Sequence, residues 1–140
     1  MPTIAPYLLY EDVEGALDFL SRAFGFEEVL RYTGAEGYVS HAEMRRGDGI
    51  LYMGDPGNSY RSPRSLGGVT VGIHVNVDDV DALHERARAA GAEITEEPAD
   101  QPYGDRRFGA KDPEGHLWWF SQPVRDLAPE DWGATPAPAR

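Results

Sequence analysis

Apolar and polar positions in residues 7–28 follow a strand and then a helix. A short apolar run precedes Asp12, and apolar side chains then recur at helical spacing until Gly25. A carboxylate at an N-cap accepts hydrogen bonds from free amides of the first turn, and glycine takes the left-handed conformation that ends a helix. The pattern therefore predicts a helix over residues 13–24, directly after a short strand.

The same plan returns in residues 72–94. An apolar run precedes Asp79, and a second apolar stripe at helical spacing ends at Gly91. This predicts a second strand and a second helix, the helix over residues 80–90. The two segments have low sequence identity, so the repeat is inferred only from their shared pattern of apolar and polar positions.

Each helix is followed by a segment typical of a hairpin. Residues 38–53 and 104–120 are each predicted to form a strand, a tight turn and a second strand. Each half of the chain is therefore predicted to be a β-α-β-β-β module, over residues 4–54 and 69–123. A helix covers only one face of its sheet, so we expect the second module to supply a partner for the bare face.

These modules define the predicted fold class and domain organisation. We expect one α+β domain in residues 1–126, in which the two modules form a curved, half-open, barrel-like sheet around a central cleft, with the helices outside. Residues 55–68, rich in glycine, serine and proline, are predicted to be a linker, and residues 127–140 a mobile tail. A cleft of this kind is the natural place for a small ligand.

Composition narrows the classes of function. The formal net charge of the 140 residues is −11, and such a surface repels nucleic acid and steers cations toward it. The chain has no cysteine, so thiol nucleophiles and thiolate metal sites are excluded. Apolar runs are too short for a membrane span, and no signal-peptide pattern occurs, so we expect a soluble cytoplasmic protein with no membrane partner.

The stretch DPEGHLWWF in residues 112–120 predicts a tight turn and a strand. Neighbouring side chains on a strand point to opposite faces, so Trp118 and Trp119 must face different surroundings. We expect Trp118 to pack under a helix and Trp119 to face the cleft with Leu117.

Together these segments resemble the vicinal oxygen chelate superfamily, which contains glyoxalase I, bleomycin-resistance proteins and extradiol dioxygenases. The resemblance covers about residues 4–123, and its narrower form is to the demethylubiquinone-methyltransferase-like branch. It is carried by the doubled module plan and by the stretches EDVEGALDFLSRAFGFEE, VDDVDALHERARAAGAEI and YGDRRFGAKDPEGHLWWF. Because one fold hosts many functions, the resemblance implies the fold more strongly than any activity.

Metal enzymes of this superfamily carry His or Glu on the first strand and Glu on the last strand of each module. The matching positions here fall on Ala5, Gly72, Tyr52 and Trp119, and none of these side chains is a ligand for a hard divalent ion. The resemblance therefore implies a protein with no metal and no cofactor, in which Trp119 offers stacking area where a relative holds its carboxylate.

Four polar or aromatic side chains are candidates for ligand contact beside Tyr52 and Trp119. His74 shares the parity of Gly72, and Tyr7 is its repeat partner; His74 is either a ligand-contacting group or a hydrogen-bonded histidine at the sheet centre. His41 and Glu43 alternate on one strand and face the same way. They form either a metal or acid–base pair or a half-buried salt bridge.

Arg106 and Arg107 place one guanidinium on each face of their strand. One is expected to pair with Asp105 or with an acid in residues 93–100, and the other to reach a ligand carboxylate or phenolate. Of the remaining histidines, His84 is expected to be solvated, and His116 is expected to fix either its loop or the packing on the helix side of the sheet.

Two functions of different classes follow. The first is a metal-independent protein that binds a small organic molecule, such as an antibiotic or an aromatic cation, through an aromatic cleft of Tyr7, Tyr52 and Trp119. The second is a metal-dependent lyase or isomerase that uses His41, Glu43 and His74. The open strand edges and the isolated Trp132 in the tail favour a homodimer in either case.

Overall fold

A computed structural model describes residues 2–139 and shows the doubled plan directly. The two modules have the same order of elements, joined by a linker that contains one short helix. The first module consists of β1 (Tyr7–Leu9), α1 (Val13–Phe24), β2 (Glu27–Thr33), β3 (Val39–Arg46) and β4 (Gly49–Gly54), and the linker contains α2 (Pro63–Leu66). The second consists of β5 (Gly72–Asn76), α3 (Val80–Ala89), β6 (Glu93–Asp100), β7 (Asp105–Lys111) and β8 (Leu117–Pro123).

Each module forms a four-stranded mixed sheet with the same topology. The orders are β1-β4-β3-β2 and β5-β8-β7-β6, and the first and last strands of each module pair in parallel. Tyr7 lies opposite Tyr52 and His74 lies opposite Trp119, so these residues occupy equivalent places in the two sheets. The α+β fold of two β-α-β-β-β modules, without a closed barrel, is confirmed.

Local sequence signals determine where the two long helices begin. Asp12 accepts a hydrogen bond of 3.0 Å from the amide of Gly15, and Asp79 accepts one of 3.1 Å from the amide of Ala82. The first helix ends at Gly25, which has φ of 75°. The second ends one residue earlier than predicted, because Ala90 is already outside the helix.

The helix-facing sides of both sheets share one hydrophobic core. Phe24, at the end of α1, packs against Trp118 and Phe120 of the second module, with ring-centroid distances of 5.4 Å and 4.7 Å. Trp118 is fully buried, as the alternation on β8 predicts. The second module therefore packs against the helix side of the first, and the bare sheet face is not buried as expected: Tyr7 and Tyr32 remain 52% and 61% exposed.

One end of the junction between the modules is closed by hydrogen bonds. The Tyr10 hydroxyl and Trp118 Nε1 both donate to Asp112 Oδ2, at 2.7 Å and 3.2 Å. The Glu114 carboxylate accepts from the amides of Glu11 and Asp12 at 2.6 Å and 2.9 Å. The DPEGH turn thus ties the second module to the loop that precedes α1.

The C-terminal segment contacts the chain's own body. A 3-10 helix spans Pro129–Trp132, and the Trp132 ring lies 5.9 Å from that of Tyr103 in the turn before β7. The Arg125 guanidinium donates to the carbonyl of Gln101 at 2.9 Å. No helix in residues 2–139 is both long and apolar enough to cross a membrane.

Candidate functional site

The candidate site residues other than Arg106 lie on the open faces of the two sheets, which point away from the shared core. Their alternation with buried neighbours follows from strand geometry, since Ala42, Met44, Leu51 and Met53 occupy the core face of the first sheet. We call the two groups the first and second face clusters. The first contains Tyr7, His41, Glu43 and Tyr52, and the second contains His74, Asn76, Glu96, Arg107 and Trp119.

The first face cluster is a connected chain of polar and aromatic contacts. The Tyr7 hydroxyl lies 2.8 Å from His41 Nδ1, and His41 Nε2 lies 3.3 Å from Glu43 Oε2. The Tyr7 and Tyr52 rings meet edge to face at 5.9 Å. The Tyr7 ring fits because Gly54 has no side chain: a Cβ there would lie 2.9 Å from the Tyr7 hydroxyl oxygen.

In the second face cluster, glycines on both flanking strands make room for the Trp119 indole. A Cβ at Gly72 would overlap the six-membered ring of Trp119, and one at Gly109 would lie 2.9 Å from Glu96 Oε2. Trp119 Nε1 donates a hydrogen bond of 2.8 Å to that same carboxylate oxygen. The indole is thus half-buried, with its donor occupied and its orientation held by Glu96.

Charged and polar neighbours complete the second face cluster. The Arg107 guanidinium carbon lies 5.5 Å from the Trp119 ring centroid, within the range of a cation–π contact, and its Nη2 lies 3.5 Å from Glu96 Oε1. His74 Nε2 lies 2.9 Å from Asn76 Oδ1 on the exposed side of β5. The cluster therefore combines one aromatic surface with one carboxylate and one guanidinium.

Arg106 lies on the other side of the sheet and outside both clusters. Its Nε donates to Asp81 of α3 at 3.1 Å, and its Nη1 donates to Asp100 of β6 at 3.2 Å. The two arginines do lie on opposite faces, and each pairs with an acid in residues 93–100, which leaves neither without a protein partner. Arg106 therefore connects α3 with β6 and lies outside the candidate site.

The predicted aromatic cleft is divided between the sheets. Tyr7 and Tyr52 touch one another in the first cluster, whereas Trp119 belongs to the second, and the hydrogen bonds of each cluster stay within its own sheet. Sequence reasoning missed Glu96 and Asn76. A usable signal existed for Asn76, since it has the same strand parity as His74. Glu96 follows a register irregularity on β6, which strand alternation does not reveal.

The other two histidines, His84 and His116, lie outside both face clusters and contact groups within the fold. His116 Nε2 lies 2.8 Å from the carbonyl oxygen of Leu9, so it joins its loop to the first module, as expected. The prediction that His84 is solvated is wrong: its side chain is 14% exposed and its ring packs edge to face on Phe108 at 5.3 Å. His84 lies on the inner side of α3 because its position falls on the helix's apolar stripe.

The residues present do not fit a metal ion. Within residues 2–139, no three His, Asp or Glu side chains come together in a geometry that could hold one. His41 and Glu43 are adjacent, but His74 belongs to the other sheet and pairs with Asn76. The described residues therefore do not support the alternative hypothesis of a lyase or isomerase with a metal set of His41, Glu43 and His74.

Burial shifts the ionisation of groups near the closed end of the junction. Desolvation, and then the Asp112 carboxylate, hold the pKa of Tyr10 well above 10.0. The pKa of Glu114 is also raised, chiefly by burial, although the two amide hydrogen bonds act in the opposite direction. These groups contribute to the junction between modules and lie apart from the face clusters.

The fold agrees with a match to a protein-family model. The protein-family model of the Glyoxalase/Bleomycin resistance protein/Dioxygenase superfamily matches residues 3–120. The chain belongs to this superfamily. The superfamily resemblance of the sequence is thereby confirmed.

Individual proteins are similar to this chain over most of the length of both. The uncharacterized protein Rv0887c of Mycobacterium tuberculosis is 38% identical over 131 residues, which cover 90% of this chain and 77% of that protein. The structure of TioX from Micromonospora sp. ML1 matches with a TM-score of 0.73 and 35% identity, over 89% of this chain and all of that one. A superfamily member from Nocardioides, at 23% identity and a TM-score of 0.67, covers 100% of this chain and 91% of its own, and shares the fold.

Proposed function

We propose that this superfamily member binds a planar aromatic small molecule on its open sheet faces and does so without a metal ion. The observation that carries the proposal is the Trp119 indole, seated over Gly72 with its Nε1 held by Glu96. A fixed aromatic surface loses little conformational freedom when a ligand stacks on it, and this favours binding. Bleomycin resistance, one of the activities in the family's description, gives the proposal its chemical class: an antibiotic-like compound.

Charge favours a cationic group on this ligand. Glu43 places a carboxylate in the first face cluster, whereas Glu96 in the second already pairs with Arg107, and the chain as a whole carries a formal charge of −11. Such a field raises the rate at which cations reach the surface. Tyr7 and Tyr52 provide further aromatic edges beside Glu43.

Titration with proflavine, a planar aromatic cation, tests this function by isothermal calorimetry. We expect saturable binding by the full chain, and a loss of at least tenfold in affinity for W119A. The matched control is W132A, because Trp132 is also partly exposed but contacts Tyr103 in the C-terminal segment. Absence of binding across proflavine, ethidium and bleomycin, or equal affinities for W119A and the unmodified chain, would overturn the proposal.

We also propose that the protein is a homodimer. Strand β2 has one unpaired edge, and Leu30 and Tyr32 on its open face are 43% and 61% exposed. Edges and faces of this kind are usually covered, and a two-fold dimer covers both copies with one patch. Light scattering at micromolar concentration and moderate salt should give twice the 15.4 kDa chain mass, and a single-chain mass would reject the dimer.

Two narrower expectations remain predictions. One is membership of the demethylubiquinone-methyltransferase-like branch, and the other is a cytoplasmic location.

Since Trp132 packs on Tyr103 of its own chain, removal of residues 128–140 is expected to leave the dimer mass unchanged.

A further inference from the structure

The junction between the modules has a first end at Tyr10 and a second end at Val77. The two ends have equivalent backbone hydrogen bonds but different side chains. The amide of Tyr10 donates to the carbonyl of Gly54 at 2.8 Å, and the amide of Val77 donates to that of Ser121 at 2.9 Å. In both cases the residue just after the module's first strand bonds to the last strand. The surroundings of Tyr10 and Val77 can therefore be compared position by position.

Side chains that close the first end are replaced at the second. Tyr10, Asp112 and Trp118 fill the first end and bond one another. Val77 stands in the place of Tyr10. Arg46, the last residue of β3, corresponds to Asp112 after β7, and Leu51 corresponds to Trp118 on the last strand. Smaller apolar side chains and a guanidinium thus replace two large aromatic rings and a carboxylate.

A cavity of about 280 Å³ lies at this second end, between the modules. We call it the junction cavity. Its volume is close to the lower limit for small-molecule sites, so it suits a ligand of a few heavy atoms up to about the size of an amino acid. Its apolar walls are formed by Ile4, Phe26, Leu51, Ile73, Val75 and Trp118.

Arg46 and Asp48, which carry opposite charges, also line the junction cavity, together with His74 and Asn76 at the margin of the second face cluster. Arg46 Nε donates to the carbonyl of Phe24 at 2.9 Å, which anchors the guanidinium and leaves its terminal nitrogens for another partner. Within residues 2–139, no carboxylate oxygen lies within 4.0 Å of those nitrogens. Burial, and then the charge of Arg86, lower the pKa of Arg46, while the Asp78 carboxylate acts in the opposite direction. A half-buried guanidinium with free terminal nitrogens favours an anionic ligand group.

We propose that the junction cavity binds a free α-amino acid with an apolar side chain. Its carboxylate pairs with Arg46, its ammonium group faces Asp48, and its side chain lies against the apolar walls. A simple carboxylic acid would leave Asp48 as an unfavourable neighbour, and a simple amine would meet the charge of Arg46. A zwitterion satisfies both groups at once, since charge-assisted hydrogen bonds to a carboxylate are among the strongest that a guanidinium forms.

Three compounds with the same phenyl group separate these contributions by calorimetry on the full chain. L-phenylalanine carries both charges, 3-phenylpropionate only the carboxylate, and phenethylamine only the ammonium group. We expect saturable binding of L-phenylalanine, and affinities at least tenfold lower for the other two. Absence of binding by L-phenylalanine and L-leucine at millimolar concentration, or equal affinity for all three phenyl compounds, would overturn the proposal.

Variants assign the binding to the junction cavity. R46Q is expected to weaken L-phenylalanine binding at least tenfold, whereas R45Q, a matched change on the neighbouring residue that pairs with Glu27, leaves it unchanged. I73F keeps Arg46 but fills the cavity, and it should abolish binding with the fold retained. Unchanged affinity in either R46Q or I73F contradicts the assignment. W119A removes the open-face site alone, so equal L-phenylalanine binding in W119A distinguishes this cavity from the proposed aromatic-ligand site.

Discussion

The Tyr10 hydroxyl donates a buried hydrogen bond of 2.7 Å to Asp112 Oδ2, although 102 positions separate the two residues in the chain. Trp118 Nε1 donates to the same oxygen, and the amides of Glu114 and His116 donate to Oδ1. This carboxylate is buried and has two donors for each oxygen. One side chain thereby joins the loop before α1, the DPEGH turn and the start of β8.

Replacement of Tyr10 by Phe should destabilise the protein without altering its fold. The change leaves Asp112 Oδ2 with Trp118 Nε1 as its remaining donor, and a lost hydrogen bond to a buried charged group costs about 2 kcal/mol. Urea unfolding followed by circular dichroism measures the loss. Y32F is the matched control, because Tyr32 is 61% exposed. Equal unfolding midpoints for Y10F and Y32F would contradict the role assigned to this bond.

A methyl group at position 72 should displace the Trp119 indole. The added Cβ of G72A overlaps the six-membered ring, so Trp119 must rotate away and lose its hydrogen bond to Glu96. We expect at least tenfold weaker proflavine binding and a destabilisation of about 1–3 kcal/mol from overpacking. The control is G68A, where nothing lies within 4 Å of the added methyl. Unaltered proflavine affinity in G72A would count against a seated indole as the binding surface.

Stability should depend on pH through Glu114. Its pKa in the folded protein is raised above 4.5, mainly by burial, so folding favours the protonated form. The stabilisation from this group is therefore fully present below pH 4.5 and is lost as the pH rises through the folded-state pKa. The free energy of unfolding of the unmodified chain, relative to that of E114Q, should fall as the pH is raised from 4 to 7.

Urea titrations at half-unit intervals of pH measure this difference. E14Q provides the comparison, because the Glu14 side chain is 71% exposed. A difference between E114Q and the unmodified chain that stays constant over this range, or that grows in favour of the unmodified chain, contradicts the assigned direction of the Glu114 pKa.

Added divalent metal ions should leave the melting temperature unchanged. His41 and Glu43 supply only two adjacent ligands, and His74 lies on the other sheet. A ligand that binds the native state raises the melting temperature with concentration, so nickel, zinc and manganese each provide a test by differential scanning fluorimetry. A concentration-dependent rise that H41A removes would reinstate a metal site in the first face cluster.

Much of the fold could be predicted because its signals are local. Asp12 and Asp79 cap their helices through amides three residues away, and Gly25 adopts a backbone conformation that few other residues allow. Successive side chains on a strand must point to opposite faces. This alternation along β8 was enough to predict that Trp118 is buried and that Trp119 lies on the other face, where it is half-buried. The doubled order of these signals determined the two-module plan.

The surroundings of particular side chains were decided by tertiary structure. Arg106 and Arg107 are neighbours of the same type, yet one pairs with Asp81 on α3 and the other with Glu96 beside Trp119. The separation of His74 from His41, and the junction cavity beside Arg46, likewise arise only when the two modules pack together. Periodicity along a chain specifies which face a side chain occupies, but long-range packing determines which groups from distant segments share that face.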